Sequence, residues 1–457
     1  MAEGSQFEKN LTRRSLLGGA ATVCGAAALS TAVRSFALSA NGVPSALIPK
    51  QNLHPITSSA SRNLVEAVDN STGITTEFSK EFLSNKVFSD LALDFDPPNP
   101  PQINGKPIEA GAFVQSNGDI SFRIYAPKAK DVTLRFGLVR DGQFILTKQE
   151  NGVFEGLLPY DENHTGPMNV DVYVDSMIFL DPYIPIHWSA GRPHNLVEVP
   201  DAELEFMFVE DVPHGVVSRH IYWTDVLKSW ERCVVYTPPG YMKSNKEYPV
   251  LYLLHGMGEN ETVWQYCGKV AYILDNLIAE GKAEPLIIVM NNGMVRYSYT
   301  ANGVIDEAFE RILTESCIPS FDKNYRVKTG KWNRAIAGLS MGSYQSCDIG
   351  FRHPELFGSI GTFTASMTHE TLRMSYERPY PAVMRYPEQF ARNYKVYFRS
   401  TTPVEDHFDY FVADDEICAN AGIDKLPSYH RIVYPKRTTK WNSWRMGLRD
   451  YAQLIFR

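Results

Sequence analysis

The chain has 457 residues, of which 44% are hydrophobic, 12% aromatic and 21% charged. That composition excludes a disordered chain, and the length predicts two or more domains at about 150 residues each. The net charge of −7 argues against nucleic-acid binding, where clustered basic charge supplies most of the affinity.

Thr12-Arg13-Arg14-Ser15-Leu16-Leu17 opens an Ala/Gly-rich apolar run that reaches about Val33. A basic start followed by a short apolar stretch reads as an export signal. The paired arginines resemble a bacterial twin-arginine signal, whose partner is the twin-arginine export machinery. Gly18, Gly19 and Gly25 keep the run weakly hydrophobic, which suits that route, and Ser35-Phe36-Ala37 offers a small-x-small cleavage site. Residues 1–40 are therefore expected to be a signal peptide. An uncleaved anchor and a lipoprotein attached through Cys24 are the competing readings, and Thr22-Val23 is a poor lead-in for the second. No later segment offers the ~18–20 uninterrupted apolar residues that span a bilayer. The expectation is an exported protein, extracellular, periplasmic or at the cell surface, without membrane association after processing.

Residues 41–95 are rich in Ser, Asn and Thr and read as a linker, with Phe78, Phe82 and Phe88 suggesting a short helix. Pro97-Pro98-Asn99-Pro100-Pro101 breaks the chain, and residues 96–205 then follow period two. Ile120, Phe122 and Ile124 alternate with polar neighbours, as do Val132, Leu134 and Phe136, and Val170, Val172 and Val174. Asn117-Gly118 and Asn151-Gly152 supply hairpin turns. This pattern predicts a β-sandwich. Phe122-Arg123-Ile124-Tyr125-Ala126-Pro127 with Val132-Thr133-Leu134 resembles the E-set, or immunoglobulin-like, modules that precede glycan-acting enzymes. Such a module either binds sugar or packs on the domain that follows.

Residues 206–457 change pattern. Val250–Leu254 and Leu286–Met290 are continuous apolar runs, and Ala335-Ile336-Ala337 ends a third. Parallel strands covered on both faces read this way. Helical stretches at Val270–Ile278 and Ile305–Ile318 separate them, which predicts a doubly wound α/β sheet. The cysteines at 233, 267, 317, 347 and 418 contain no C-x-x-C pair, so neither a disulfide framework nor a zinc site is expected.

Gly338-Leu339-Ser340-Met341-Gly342 fits G-x-S-x-G, the strand-to-helix turn that lifts a serine above an α/β-hydrolase sheet. His255-Gly256-Met257-Gly258 ends an earlier strand. The N–H groups of Met257 and Met341 are the candidate oxyanion-hole donors for a tetrahedral intermediate of acyl transfer. His255 is expected to fix this loop rather than to act as a base. Trp264, Tyr297 and Tyr299 follow strand tips, where α/β sheets bind ligands, and are candidates for holding a sugar or phenolic ring.

Tyr236-Thr237-Pro238-Pro239-Gly240-Tyr241, Tyr248–Gly256, Arg334–Gly342 and His353-Pro354-Glu355-Leu356-Phe357 together resemble the esterase D and carbohydrate esterase family 1 group. Asp211-Val212-Pro213-His214-Gly215 fits the join seen where an E-set module is fused in front. The resemblance implies an α/β-hydrolase fold preceded by a small all-β immunoglobulin-like sandwich. It implies feruloyl- or acetyl-esterase activity on plant polysaccharide or a small ester, with a Ser-His-Asp triad and neither metal nor cofactor.

The family's histidine precedes a W-x-x-W-R segment, here Trp441-Asn442-Ser443-Trp444-Arg445, and falls at Thr439, which cannot take a proton. A serine hydroxyl needs a base, and the base an orienting acid. His430 is the replacement base adopted, with His407, Lys436 and Lys440 as alternatives. Asp406 is the acid, with Asp409 second. Asp414-Asp415-Glu416 reads as a solvated helix start rather than a cation site. The expected catalytic set is Ser340, Asp406 and His430. The protein is expected to be a serine esterase, slowed by the missing histidine. The alternative is a catalytically degenerate esterase fold that binds glycans.

Overall fold

The computed structural model describes residues 69–70, 73–74, 78–84, 98–137, 140–295, 307–364, 386–435 and 439–457. The expected signal at 1–40 and most of the linker lie outside them. Residues 59–457 form one compact unit. In the linker, Lys80–Ser84 is a short helix. Phe78 stacks on Phe82 at 5.0 Å and meets Tyr160 edge-on at 5.6 Å.

The first region consists of two antiparallel sheets. One holds β1 (Gly111–Val114), β2 (Ile120–Tyr125), β5 (Thr147–Lys148) and β6 (Val153–Leu158), in the order β1-β2-β6-β5. The other holds β3 (Val132–Phe136), β4 (Arg140–Ile145), β7 (Gly166–Val174), β9 (Ile186–Ser189) and β10 (Arg192–Val199). Their order is β9-β10-β7-β3-β4, and β8 (Met177–Phe179) pairs with the end of β7. Ile120, Phe122, Ile124 and Phe154 from one sheet close on Val132, Leu134, Val170 and Val172 from the other in a single apolar core. Alternation is the cause: each strand turns every second side chain inward.

The second region is an eight-stranded sheet. Its strands are β11 (Val216–Thr224), β12 (Ser229–Thr237), β13 (Val250–Leu254), β14 (Ile287–Asn291), β15 (Arg334–Leu339), β16 (Ser359–Phe363), β17 (Val396–Thr401) and β18 (Tyr429–Val433). The order is β11-β12-β14-β13-β15-β16-β17-β18. β11, β12 and β14 pair antiparallel, and every other pair is parallel. The helices that place the site are α1 (Val263–Tyr266), α2 (Val270–Ala279), α3 (Met341–Arg352), α4 (Phe408–Asn420) and α5 (Lys440–Ala452). Leu251, Leu253, Ala335, Ala337 and Phe398 pack under α2 and α5, whereas Tyr252, Leu254, Ile336 and Tyr397 pack on the α3 side. Burial on both faces explains why these strands read as unbroken apolar runs. The topology is that of an α/β-hydrolase.

Two local expectations are corrected. The helix expected at 305–318 continues to Asn324 through a π-helical turn at Ile312–Cys317. The acidic run 414–416 is not a solvated helix start but lies inside α4, with Asp414 buried. The buried Arg399 of β17 binds Asp415 at 2.6 Å and lies 3.6 Å from Asp414. A buried guanidinium needs paired charge, so the acids serve it rather than solvent.

The two regions are joined through α5. Arg445 forms a buried, bidentate pair with Glu198 of β10, at 2.6 and 2.9 Å, and its Nε donates to Cys267 O at 2.7 Å. Asn442 Nδ2 donates to Thr165 Oγ1 at 2.9 Å and to Asp201 Oδ2 at 3.0 Å. Leu196 of β10 enters the hydrolase core itself.

Candidate active site

Ser340 sits between β15 and α3 with φ 48° and ψ −119°. An L-residue adopts that conformation only under constraint, and such strain gathers at functional turns. The flanking glycines are required by contact. A Cβ on Gly338 would stand 2.5 Å from Gly342 C, and one on Gly342 would stand 2.6 Å from His255 O. Ser343 Oγ donates to Gly338 O at 2.5 Å and accepts from Phe363 N–H at 3.0 Å, which ties the turn to β16. Met341 opens α3, where first-turn N–H groups lack intrahelical acceptors.

The loop after β13 lies against this turn. A Cβ on Gly256 would come within 3.4 Å of Ser340 Cβ. His255 is buried. Its Nδ1 donates to Gly256 O at 2.7 Å and its Nε2 accepts from Gly293 N–H at 3.0 Å, so both ring nitrogens are occupied in holding loops. Burial lowers its pKa, consistent with a neutral imidazole. Glu259 accepts from Gly256 N–H at 2.8 Å, and burial still pushes its carboxyl up to about 7. Met257 is exposed beside this turn.

The expected base, His430, is not brought to Ser340. Ala337, Gly361, Phe398 and His430 pair in register across β15, β16, β17 and β18. His430 therefore lies three strand spacings, about 14 Å, from the serine's strand and three residues short of its level. That separation is beyond hydrogen-bond reach. Asp406 is largely exposed and its Oδ2 is bonded to Lys440 Nζ at 2.5 Å. This ion pair also engages Lys440, one of the alternative bases. His407 caps α4 beside that pair, with its ring 5.7 Å from Tyr410 and its pKa lowered by burial. Asp409 opens α4. Thr439, at the position of the family's histidine, donates from Oγ1 to Thr165 O of the sandwich at 3.0 Å. Lys436, Tyr297 and Tyr299 lie outside the described residues. Trp264 is not a ligand platform: it is buried, its Nε1 donates to Leu254 O at 2.9 Å, and it packs against Phe363 and Trp441.

Glu405 was not singled out from the sequence. It is 7% exposed, and its Oε1 has no hydrogen-bond partner. Burial, with a smaller push from Asp406, raises its carboxyl to about 7 against the pull of Lys440 and of the adjacent Thr364 and Trp444. Thr364 follows β16 with φ 70°, beside the serine turn. The available signal was only the Glu405-Asp406 pair itself, and exposure decides which of the two is buried. Among the described residues, no group of His, Cys, Asp and Glu is arranged to hold a metal ion.

Fold and turn together define an α/β-hydrolase domain with a serine at a nucleophile elbow. Residues 224–449 match the family model described as a putative esterase. The chain is 37% identical over 276 residues to an endo-1,4-beta-xylanase/feruloyl esterase of Xylanibacter ruminicola, covering 58% of this chain and 37% of that protein. It is 31% identical over 119 residues to endo-1,4-beta-xylanase Y of Acetivibrio thermocellus, covering 24% of this chain and 10% of that protein. The chain thus spans little more than a third of the curated relatives it matches, at most. Among solved structures, the enterobactin esterase of Shigella flexneri shares the fold at 14% identity and a TM-score of 0.51, covering 74% of this chain and 94% of that one.

Proposed function

We propose that the protein is a serine esterase that hydrolyses carboxylic esters, feruloyl or acetyl, carried by plant polysaccharide. The strained Ser340 at the head of α3, with the 255–259 loop packed on it, is the observation that carries this reading. The ester class draws support from the esterase family match and from the xylanase/feruloyl esterase relative. Ser340 Oγ attacks the ester carbonyl, and the N–H groups of Met257 and Met341 receive the oxyanion. The proton that Ser340 Oγ loses passes by way of solvent to the leaving oxygen as the ester C–O bond breaks and the alcohol departs. Water then attacks the acyl carbonyl, the bond to Oγ breaks, Oγ takes back a proton, and the carboxylic acid is released. The front sandwich is an E-set-type module, and residues 1–40 are a twin-arginine signal that directs export. Turnover is slow, because no described histidine is hydrogen-bonded to Ser340. An oxyanion hole and binding alone still give roughly 10³–10⁴-fold over water.

The test is Ser340→Ala on an activated aryl acetate and on feruloylated xylo-oligosaccharide. The wild type should turn over both, and the variant should lose both while remaining folded, because the serine lies at a turn and no core volume is removed. Equal activity in the two proteins would exclude Ser340 as nucleophile. Thr439, bonded to Thr165 O, and Asp406, bonded to Lys440, favour a second reading of a glycan-binding protein with a degenerate site. A wild type that retains xylan without hydrolysing either ester supports that reading instead.

A further inference from the structure

The loop that carries Met257 is held from the β-sandwich. β9 and β10 are joined by the two-residue turn Ala190-Gly191, with φ 47° and 80°. Gly191 N–H donates to Gly258 O at 2.7 Å. The surfaces are in contact: a Cβ on Gly258 would stand 3.1 Å from Ala190 Cα. Two further contacts fix the hairpin on the hydrolase domain. His187 of β9 is buried, donating from Nε2 to Asn169 Oδ1 at 2.6 Å and receiving the Cys267 thiol at Nδ1 at 3.3 Å. The Arg445–Glu198 pair anchors β10 a few residues further on.

Met257 lies between Gly256 and Gly258, two residues without a Cβ to restrict rotation. The peptide that carries its N–H is held through its own carbonyl, since Gly256 O accepts from His255 Nδ1 at 2.7 Å, and the loop keeps that direction only while the residues on either side are held too. On one side the Glu259 carboxylate accepts Gly256 N–H at 2.8 Å. On the other, the holding group is Gly191 N–H of the sandwich. We infer that the Ala190-Gly191 turn is a positioning element of the oxyanion hole, so that the sandwich is part of the catalytic apparatus and not merely a neighbouring module. This rests on the esterase reading above. An oxyanion donor must be preorganised to contribute, and removing one costs about 10²–10³ in kcat. A loosened donor costs less.

The experiment is Ala190→Pro. Proline holds φ near −65°, so the turn must re-form and carry Gly191 N–H away from Gly258 O, while the ladder between β9 and β10 stays. On an aryl acetate, kcat should fall about tenfold or more with KM unchanged. Amide exchange across residues 256–261 should speed up, with the core strands unchanged. Met177→Ser, on the exposed β8 of the same sheet, should change neither. A rise in KM at constant kcat would make the turn a substrate contact and overturn the inference. Wild-type kcat together with wild-type exchange would also overturn it. If Ala190→Pro does not fold, Gly191→Ala strains the same turn through its φ alone, since its Cβ meets nothing within 4 Å. The same changes should then appear at smaller size, and their absence refutes the inference. If the wild type itself has no esterase activity, the functional reading fails separately, and the exchange measurement alone decides whether the turn holds the loop.

Discussion

Glu405 shows how burial sets the chemistry of a single side chain at the catalytic edge. Its carboxyl is raised from an ordinary 4.5 to about 7, chiefly by burial. The native state therefore holds a proton that the unfolded chain releases. Stability from this group is complete below pH 4.5 and is lost as pH rises through about 7. The loss is on the order of 3 kcal/mol. Glu405→Gln removes that titration and keeps the shape. The midpoint of thermal unfolding, variant minus wild type, should increase from pH 4.5 to pH 8. A difference independent of pH would mean that the carboxyl titrates normally. Ser340 and His255 illustrate the same dependence on surroundings. One is held at a positive φ by glycines that no other residue can replace, and the other is a neutral brace with both nitrogens occupied.

At the scale of elements, α5 is the joint of the molecule. Along its length Thr439, Asn442 and Arg445 bind Thr165, Asp201 and Glu198 of the sandwich side, while Trp444 Nε1 donates to Thr364 Oγ1 at 2.7 Å beside the serine turn. Breaking a buried ion pair from one side typically costs about 3–5 kcal/mol, whereas replacing both partners with apolar groups is often close to neutral. Glu198→Gln should therefore lower unfolding stability by about that amount in denaturant titration, and Glu198→Leu with Arg445→Met should recover most of it. A single variant as stable as wild type would show that the pair is not desolvated. The β11–β12 hairpin is the opposite case. Its Trp223 and Trp230 meet edge-on at 5.6 Å and remain 44% and 67% exposed.

For the whole molecule, residues 59–457 form one compact unit, and no described helix is long and apolar enough to cross a membrane. The proposed export route concerns the opening segment. A folded reporter carrying residues 1–40 should be exported, and Arg13→Lys with Arg14→Lys should stop it. Export at the wild-type level in that double variant would refute the twin-arginine reading. A route that carries folded proteins suits a chain whose five described cysteines are all buried with free thiols, because folding before export shields them from oxidation.

The sequence by itself determined what depends on local pattern. Period-two alternation placed Ile120, Phe122 and Ile124 inward, and the apolar runs at 250–254 and 286–290 marked strands covered on both faces. G-x-S-x-G determined the turn at Ser340, because only glycine tolerates the backbone contacts on either side of it. Tertiary structure decided everything that depends on which strands become neighbours. His430 and Ser340 are separated by strand order, which no spacing along the chain encodes. Asp406 and Glu405 are adjacent in sequence, yet one is exposed beside Lys440 and the other is buried beside Trp444. Trp264 follows a strand tip, but packing against Trp441 from α5 makes it core. The sandwich's hold on Gly258 joins residues 67 positions apart (191 and 258) through a single backbone hydrogen bond. Backbone N–H and C=O groups are common to almost every residue, so such a bond carries no sequence signature.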